Sequence, residues 1–160
     1  MIQLLRVDCR LIHGQVAVYW INGTGSNAIV VANDKYATNP MLKMALTAGK
    51  PAGVSMQVLK VEDAIKYLND PAHDREKIFV VVADTNDGLR VSQNVSAVKT
   101  VDVGAQTPAE GRVNVLPSVH LGAIDVANLE QIENLGKEVY VQEVPSAKKL
   151  SVADVKKLVI

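Results

Sequence analysis

The feature that most constrains the fold is an alternation. Short apolar runs dense in β-branched residues recur along the chain, with helix-like patterns between them. Ile2 to Val7, Ala28 to Ala32, Val54 to Leu59, Lys77 to Ala83, Val98 to Val103 and Glu138 to Val144 read as strands. After the second of these, Thr38 or Asn39 can cap a helix, Pro40 suits its first turn, and Met41, Leu42, Ala45, Leu46 and Ala48 form its apolar stripe. Val61, Ile65 and Leu68 mark another helical face, closed by Asp70-Pro71. Ile124, Leu129, Ile132 and Leu135 mark a third, with Gly136 as its stop, and Ser151 with Asp154 resembles a capping box ahead of Val155, Leu158 and Val159.

Strands and helices in alternation imply parallel strands joined by crossovers, with helices on both faces of the sheet. The expected fold is therefore α/β: one open, mostly parallel, doubly wound sheet in a single domain spanning 1–160. Unbroken runs such as Ile78 to Val82 support it, because a strand covered on both faces loses its polar alternation. No helix pattern precedes Val113 to Leu121, so that stretch is expected to pair irregularly or antiparallel. No repeat or linker calls for a second domain.

The 17 basic and 17 acidic side chains cancel, which removes any overall attraction for nucleic acid or anionic lipid. Cys9 is the only cysteine, so an internal disulfide and a multi-cysteine zinc site are excluded, and a reducing cytoplasm fits best. No apolar run approaches the roughly 20 residues needed to span a bilayer. The charges at Arg6, Asp8 and Arg10 break the apolar stretch that a signal peptide needs. A cytoplasmic chain that is not cleaved is expected, with any membrane contact made through a partner protein.

In open α/β sheets ligands bind beyond the carboxyl ends of the strands, where loops enter helices. The loop after the first strand, Asp8-Cys9-Arg10-Leu11-Ile12-His13-Gly14-Gln15, is the most chemically loaded segment of the chain. His13 is a nucleophile that can be neutral near pH 7, since an unperturbed imidazole titrates at about 6.5. Gly14 permits a tight turn and close approach of backbone to ligand. A helix starting near Gln15 would aim its N–H groups and positive dipole end at an anion, and Arg10 supplies a planar fork suited to phosphate oxygens. The bland alternative is a packed His13 beside an Arg10 that only pairs with Asp8. Asp8 itself could orient the imidazole or merely cap the loop.

Other candidates are weaker. Asn33 and Asp34 close the second strand, and Gly104, Ala105 and Gln106 follow the fifth; both loops can reach the same edge, or can be ordinary turns. His73 reads as a solvated surface residue, His120 as a packed one and Cys9 as a half-buried inert thiol. The histidines and the cysteine lack metal-ligand spacing, and neither a Walker A sequence nor a three-glycine dinucleotide fingerprint is present.

At Arg10-Leu11-Ile12-His13-Gly14-Gln15-Val16 the sequence resembles the IIB components of the mannose, fructose and sorbose family of the bacterial sugar phosphotransferase system. Leu46-Thr47, Pro51, Gly53-Val54, Val101, Val103-Gly104 and Gly111-Arg112 extend the resemblance over nearly the whole chain. It implies an open, mostly parallel α/β sheet. It implies that His13 takes a phosphoryl group, at Nδ1, from a phosphohistidine on a separate IIA protein and gives it to a sugar entering through the membrane-embedded IIC and IID subunits. Arg10 would stabilise that group, Asp8, Gly14 and Gln15 would complete the phosphate loop, and no metal or other cofactor would be needed. A homo-oligomer is compatible with it. The chain departs from the family pattern at Cys9, where many relatives are acidic, and at Asp102 and Ala105, where Asn and a second Gly are usual. Two other readings of the same loop stand beside this one: a regulatory domain that binds a phosphorylated metabolite without reacting, and a structural subunit of an oligomer.

Overall fold

The computed structural model describes residues 1–160. Its centre is a seven-stranded sheet in the order β3-β2-β4-β1-β5-β8-β9. The strands are β1 (Ile2–Val7), β2 (Ala28–Ala32), β3 (Ser55–Leu59), β4 (Ile78–Val82), β5 (Thr100–Val103), β8 (Glu138–Val141) and β9 (Leu150–Ser151). All neighbouring pairs are parallel except β8 with β9. The expected mostly parallel sheet is present, and its one antiparallel strand is the short β9 at the edge.

A second antiparallel element stands apart. β6 (Arg112–Leu116) and β7 (Val119–Gly122) form a hairpin outside the main sheet, tied to it through a bridge between Gln106 and Val119. This is the stretch whose sequence lacked a crossover helix.

The helices are α1 (Gly14–Thr24), α2 (Asp34–Thr38), α3 (Pro40–Ala48), α4 (Val61–Asn69), α5 (Thr85–Asn94), α6 (Ala123–Asn134) and α7 (Val152–Val159). Their starts follow local chemistry. The Asn39 carboxamide accepts from the N–H groups of Met41 and Leu42 ahead of Pro40. Ser151 and Asp154 form the reciprocal capping box expected of them. The short α2 and the whole of α5 carry weaker signals: α5 reads TNDGLRVSQN, mostly polar with a central glycine, and is started by the Asp84 carboxylate accepting from the Asp87 N–H.

Two apolar cores result, one on each face. Leu4, Ile29, Val31, Phe79 and Val81 pack under Trp20 and Ile21 of α1 and Leu46 of α3. Leu5, Val7, Val80 and Val82 pack under α4, α5, α6 and α7 on the other side. β2 and β4 are buried at every position, which explains their unbroken apolar runs.

The division of helices also locates a switch point. The chain leaves β1 for the α1 face, whereas it leaves β4, and β5 by way of the hairpin, for the opposite face. The carboxyl end of β1, flanked by β4 and β5, is thus where connections diverge and a crevice opens. On the α1 face no helix covers β5 and β8. Their inward positions there are polar or aromatic, Asp102 and Tyr140, and the segment after β8 folds back over them, with the Lys149 ammonium 4.2 Å above the Tyr140 ring centroid.

Candidate functional site

The loop after β1 begins by continuing the sheet. The Asp8 N–H donates to the Val82 carbonyl at 2.9 Å and the Cys9 N–H to the Ala105 carbonyl at 2.9 Å, so the loop is moored to both neighbouring strands. It then turns sharply. The Leu11 N–H donates to the Asp8 carbonyl, and Leu11 takes φ of 60°, the only left-handed residue in the chain other than glycine. That conformation costs about 1–2 kcal/mol for an L-residue. It is held because Leu11 and Ile12 are both buried in the α1 core.

His13 follows directly, exposed, in extended conformation at the N-cap of α1. Its carbonyl accepts from the Ala17 N–H, but its ring makes no capping bond. Gly14 has φ of 49° with open space around it. The first N–H groups of α1 have no partner within the helix, and its first turn contains no acidic side chain. The positive end of the helix is therefore free to meet an external anion.

Behind the histidine lies a ladder of buried charge. Arg6, only 2% exposed, donates from Nη1 to Asp102 and to the Gln142 carbonyl at 3.0 Å, and from Nη2 to Asp8 at 3.3 Å and the Glu143 carbonyl at 2.9 Å. The Trp20 ring covers its guanidinium at 4.7 Å. Asp8 holds Arg10 in turn: Oδ1 accepts from the Arg10 N–H at 2.9 Å and from Nε at 3.1 Å, and Oδ2 accepts from Nη2 at 3.1 Å. The Arg10 hydrogen bond to Asp8 raises the guanidinium pKa further above its ordinary value, and the fork stays partly open to solvent.

The capping role of Asp8 and its pairing with Arg10 are thus present, and no hydrogen bond joins Asp8 to the His13 imidazole. Asp8 shapes the turn and clamps Arg10, and the clamped Arg10 still presents an exposed edge. Arg6, Asp8 and His13 line one narrow cleft beside Trp20, with about 10 Å³ of interior space. Arg10 opens toward a second, wider groove of about 260 Å³ that it shares with Cys9, Gln106, Ser118 and His120. Asp8 lies between the two.

Asp102 is fully buried, and burial pushes its carboxyl up to about 7 even though Arg6 pulls in the opposite direction. Its Oδ1 has no hydrogen-bond partner. Gly104 stands over the same guanidinium: a Cβ there would come within 3.0 Å of Arg6 Nε and closer still to Cζ and Nη2.

Of the remaining positions named from sequence, Asn33, Asp34 and Gln106 bond to backbone. The Asn33 side chain accepts from the Tyr36 N–H and caps α2, and the Asp34 carboxylate accepts from the Val61 N–H at 2.9 Å at the start of α4. Gln106 is buried, its amide donating to the Ala83 carbonyl at 2.9 Å, while Gln15 is exposed on the first turn of α1. Cys9 is half-buried, and burial first, then Asp8, raises its thiol pKa. His120 Nδ1 lies 3.2 Å from the Gln106 carbonyl. His73 is more engaged than a solvated surface residue: it stacks on Tyr67 at 3.6 Å and meets Glu76 at 2.6 Å, just ahead of the amino end of β4. No group of three or more His, Cys, Asp or Glu side chains is placed to hold a metal ion.

Fold and site together define an open α/β protein that presents an exposed histidine at the start of a helix on the carboxyl edge of its sheet. The chain belongs to the sorbose subfamily of IIB components of the sugar phosphotransferase system, whose family model matches residues 2–159. It is 35% identical over 156 residues to the "Probable phosphotransferase enzyme IIB component" of Streptococcus pyogenes, covering 94% of this chain and 96% of that one. It is 30% identical to the mannose-specific EIIAB component of Escherichia coli over 96% of this chain, spanning 47% of that longer protein. Among solved structures, manxB from Thermoanaerobacter tengcongensis superposes with a TM-score of 0.91 at 28% identity, over 98% of this chain and 95% of that one. The IIBSor domain of the sorbose permease from Klebsiella pneumoniae shares the fold, with a TM-score of 0.91 at 23% identity over 98% of this chain and 97% of that one.

Proposed function

We propose that the chain carries a phosphoryl group on His13, taking it from a phosphohistidine on a IIA protein and passing it to a sugar at the IIC/IID permease. The observation that carries this reading is the exposed His13 ring, free of capping bonds, at the start of a helix whose first turn holds no carboxylate. A neutral imidazole nitrogen, Nδ1 by family resemblance, attacks phosphorus in line. As its N–P bond forms, the donor N–P bond breaks and the donor imidazole leaves. In the second transfer a sugar hydroxyl attacks, the His13 N–P bond breaks, and the hydroxyl proton is released.

Such a transfer needs positioning and charge stabilisation more than covalent work by the protein. The N–H groups at the start of α1 and the Arg10 fork meet that need without a metal or other cofactor. Asp8, Gly14 and Gln15 shape the same loop. No helix of this chain is long and apolar enough to cross a membrane, in keeping with action from the cytoplasmic side of a permease. The joined A and B parts in the name of the E. coli relative support a IIA partner. The test is sugar phosphorylation by permease-containing membranes supplied with phosphorylated IIA. Sugar phosphate should appear only when this chain is added, and should not appear with His13→Gln. Equal product without the chain would reject the reading, and binding of phosphorylated metabolites without transfer would replace it with a regulatory one.

A further inference from the structure

We infer that Asp102 is a positioning residue for phosphoryl carriage: its buried carboxylate fixes and neutralises the Arg6 guanidinium, which holds Asp8 and through it the Arg10 fork and the loop ending in His13. The inference rests on His13 as the phosphoryl carrier. It adds residues to that site which touch neither donor nor sugar.

The connection begins in the sheet register. Arg6 on β1 and Asp102 on β5 are direct partners across the parallel pair, and the Arg6 guanidinium lies against Trp20 of α1. From there the contacts run outward in alternating sign, Asp102 to Arg6 to Asp8 to Arg10, from full burial to partial exposure. Each link limits the next. Asp8 Oδ2 is shared between Arg6 and Arg10, so a change at Arg6 alters how firmly Asp8 holds Arg10.

The chemistry of Asp102 indicates why a carboxylate stands there. Burial disfavours its ionised form, and one oxygen lacks a partner. An amide could accept from Arg6 in the same shape without burying a charge. The carboxylate therefore costs stability, and what it adds beyond an amide is negative charge against Arg6. Arg6 lines the cleft of His13. Left unneutralised, it would hold an arriving phosphoryl dianion more tightly, slowing its release to the sugar.

The test uses the full chain with phosphorylated IIA, comparing the parent with Asp102→Asn and Asp102→Leu. At pH 8, above the Asp102 value of about 7, the parent carries the ionised carboxylate, and Asp102→Asn keeps the acceptor for Arg6 and removes that charge. The phosphoryl exchange equilibrium should move toward the phosphorylated chain by about three- to tenfold, the scale of one charge acting through a partly wet interior, while the Arg10 Nε–H resonance stays sharp. In Asp102→Leu, which removes both charge and acceptor, that resonance should broaden, because Arg6 no longer braces Asp8. Unchanged exchange in Asp102→Asn overturns the neutralising role. Should the leucine variant fail to fold, Asp102→Ser, which leaves the acceptor out of reach, replaces it, and an unaltered Arg10 signal there overturns the bracing role. If the parent takes no phosphoryl group, the His13 reading fails by itself, and the Arg10 resonance of the unmodified chain still decides whether Asp102 positions the loop.

Discussion

Replacing Gly104 with alanine should be far more damaging than adding one methyl group to a loop ordinarily is. Gly104 immediately follows β5, and its missing side chain is the space that the Arg6 guanidinium fills. A Cβ at this position would overlap atoms of a planar group fixed by hydrogen bonds to Asp102, Gln142, Asp8 and Glu143. Either the strands move apart, at the roughly 1–3 kcal/mol of an overpacked core, or Arg6 leaves and strands buried Asp102, at about 3–5 kcal/mol for one half of a broken buried pair. Because the guanidinium is rigid and held from several sides, the second outcome should dominate. For a chain of this size each kcal/mol shifts the melting temperature by about 2–4 °C, giving a fall of roughly 6–20 °C. Urea titration followed by circular dichroism, with Gly49→Ala as control, is the assay. Gly49 has φ of −86° and only the Leu46 carbonyl nearby at 3.5 Å, so alanine there should be neutral or stabilising by about 0.4–1 kcal/mol. A loss below about 1 kcal/mol for Gly104→Ala would refute the packing argument.

Arg10→Ala should leave stability within about 1 kcal/mol of the parent, as for a part-exposed pair, and slow phosphoryl transfer by up to about 2.7–4 kcal/mol of barrier; unchanged rates in stopped-flow transfer would mean that Arg10 serves Asp8 alone. Asp102 should make stability fall with pH. Its folded pKa of about 7 lies above the ordinary 3.8, so the folded chain binds more protons than the unfolded one between those values, and stability drops as pH rises through that window. The drop is at most about 4 kcal/mol, from roughly three units at 1.36 kcal/mol each, and the difference in urea midpoint between parent and Asp102→Asn across pH 4 to 8 measures it. Cys9, its thiol pKa raised by burial and by Asp8, should react with iodoacetamide at pH 7.5 more slowly than a free cysteine; faster alkylation would place the thiol in a more cationic setting than its neighbours provide.

Much of this was legible in sequence because periodicity is local. Ile78 to Val82 announces a strand buried on both faces, and Asn39-Pro40 or Ser151 with Asp154 announces a helix start. Helix α5 was not legible, since TNDGLRVSQN offers few apolar positions, and what fixes it is the Asp84 cap and the packing of Gly88 and Val91 against the sheet. The loop from Asp8 to Gln15 could be picked out as the candidate site from its residue types. What could not be read was how its charges are wired. Arg6 and Asp102 sit in apolar strands far apart in the chain, and only the β1–β5 register makes them neighbours. The one available signal was an opposite charge embedded in each of two strands otherwise reading as buried. Asn33, Asp34 and Gln106 show the converse: polar residues at the right edge of a sheet whose side chains bond to backbone.

The central claim is that one residue, His13, becomes phosphorylated, and residue-level mapping of the modified chain tests it most directly. The parent chain would be incubated with phosphorylated IIA, kept at alkaline pH to preserve phosphoimidazole, and fragmented by electron transfer, with His13→Gln carried alongside. A single phosphoryl group on His13 in the parent, acid-labile and absent from the variant, is the predicted result. A phosphoryl group on Cys9, His73 or His120, or one retained in a folded His13→Gln chain, would contradict the account.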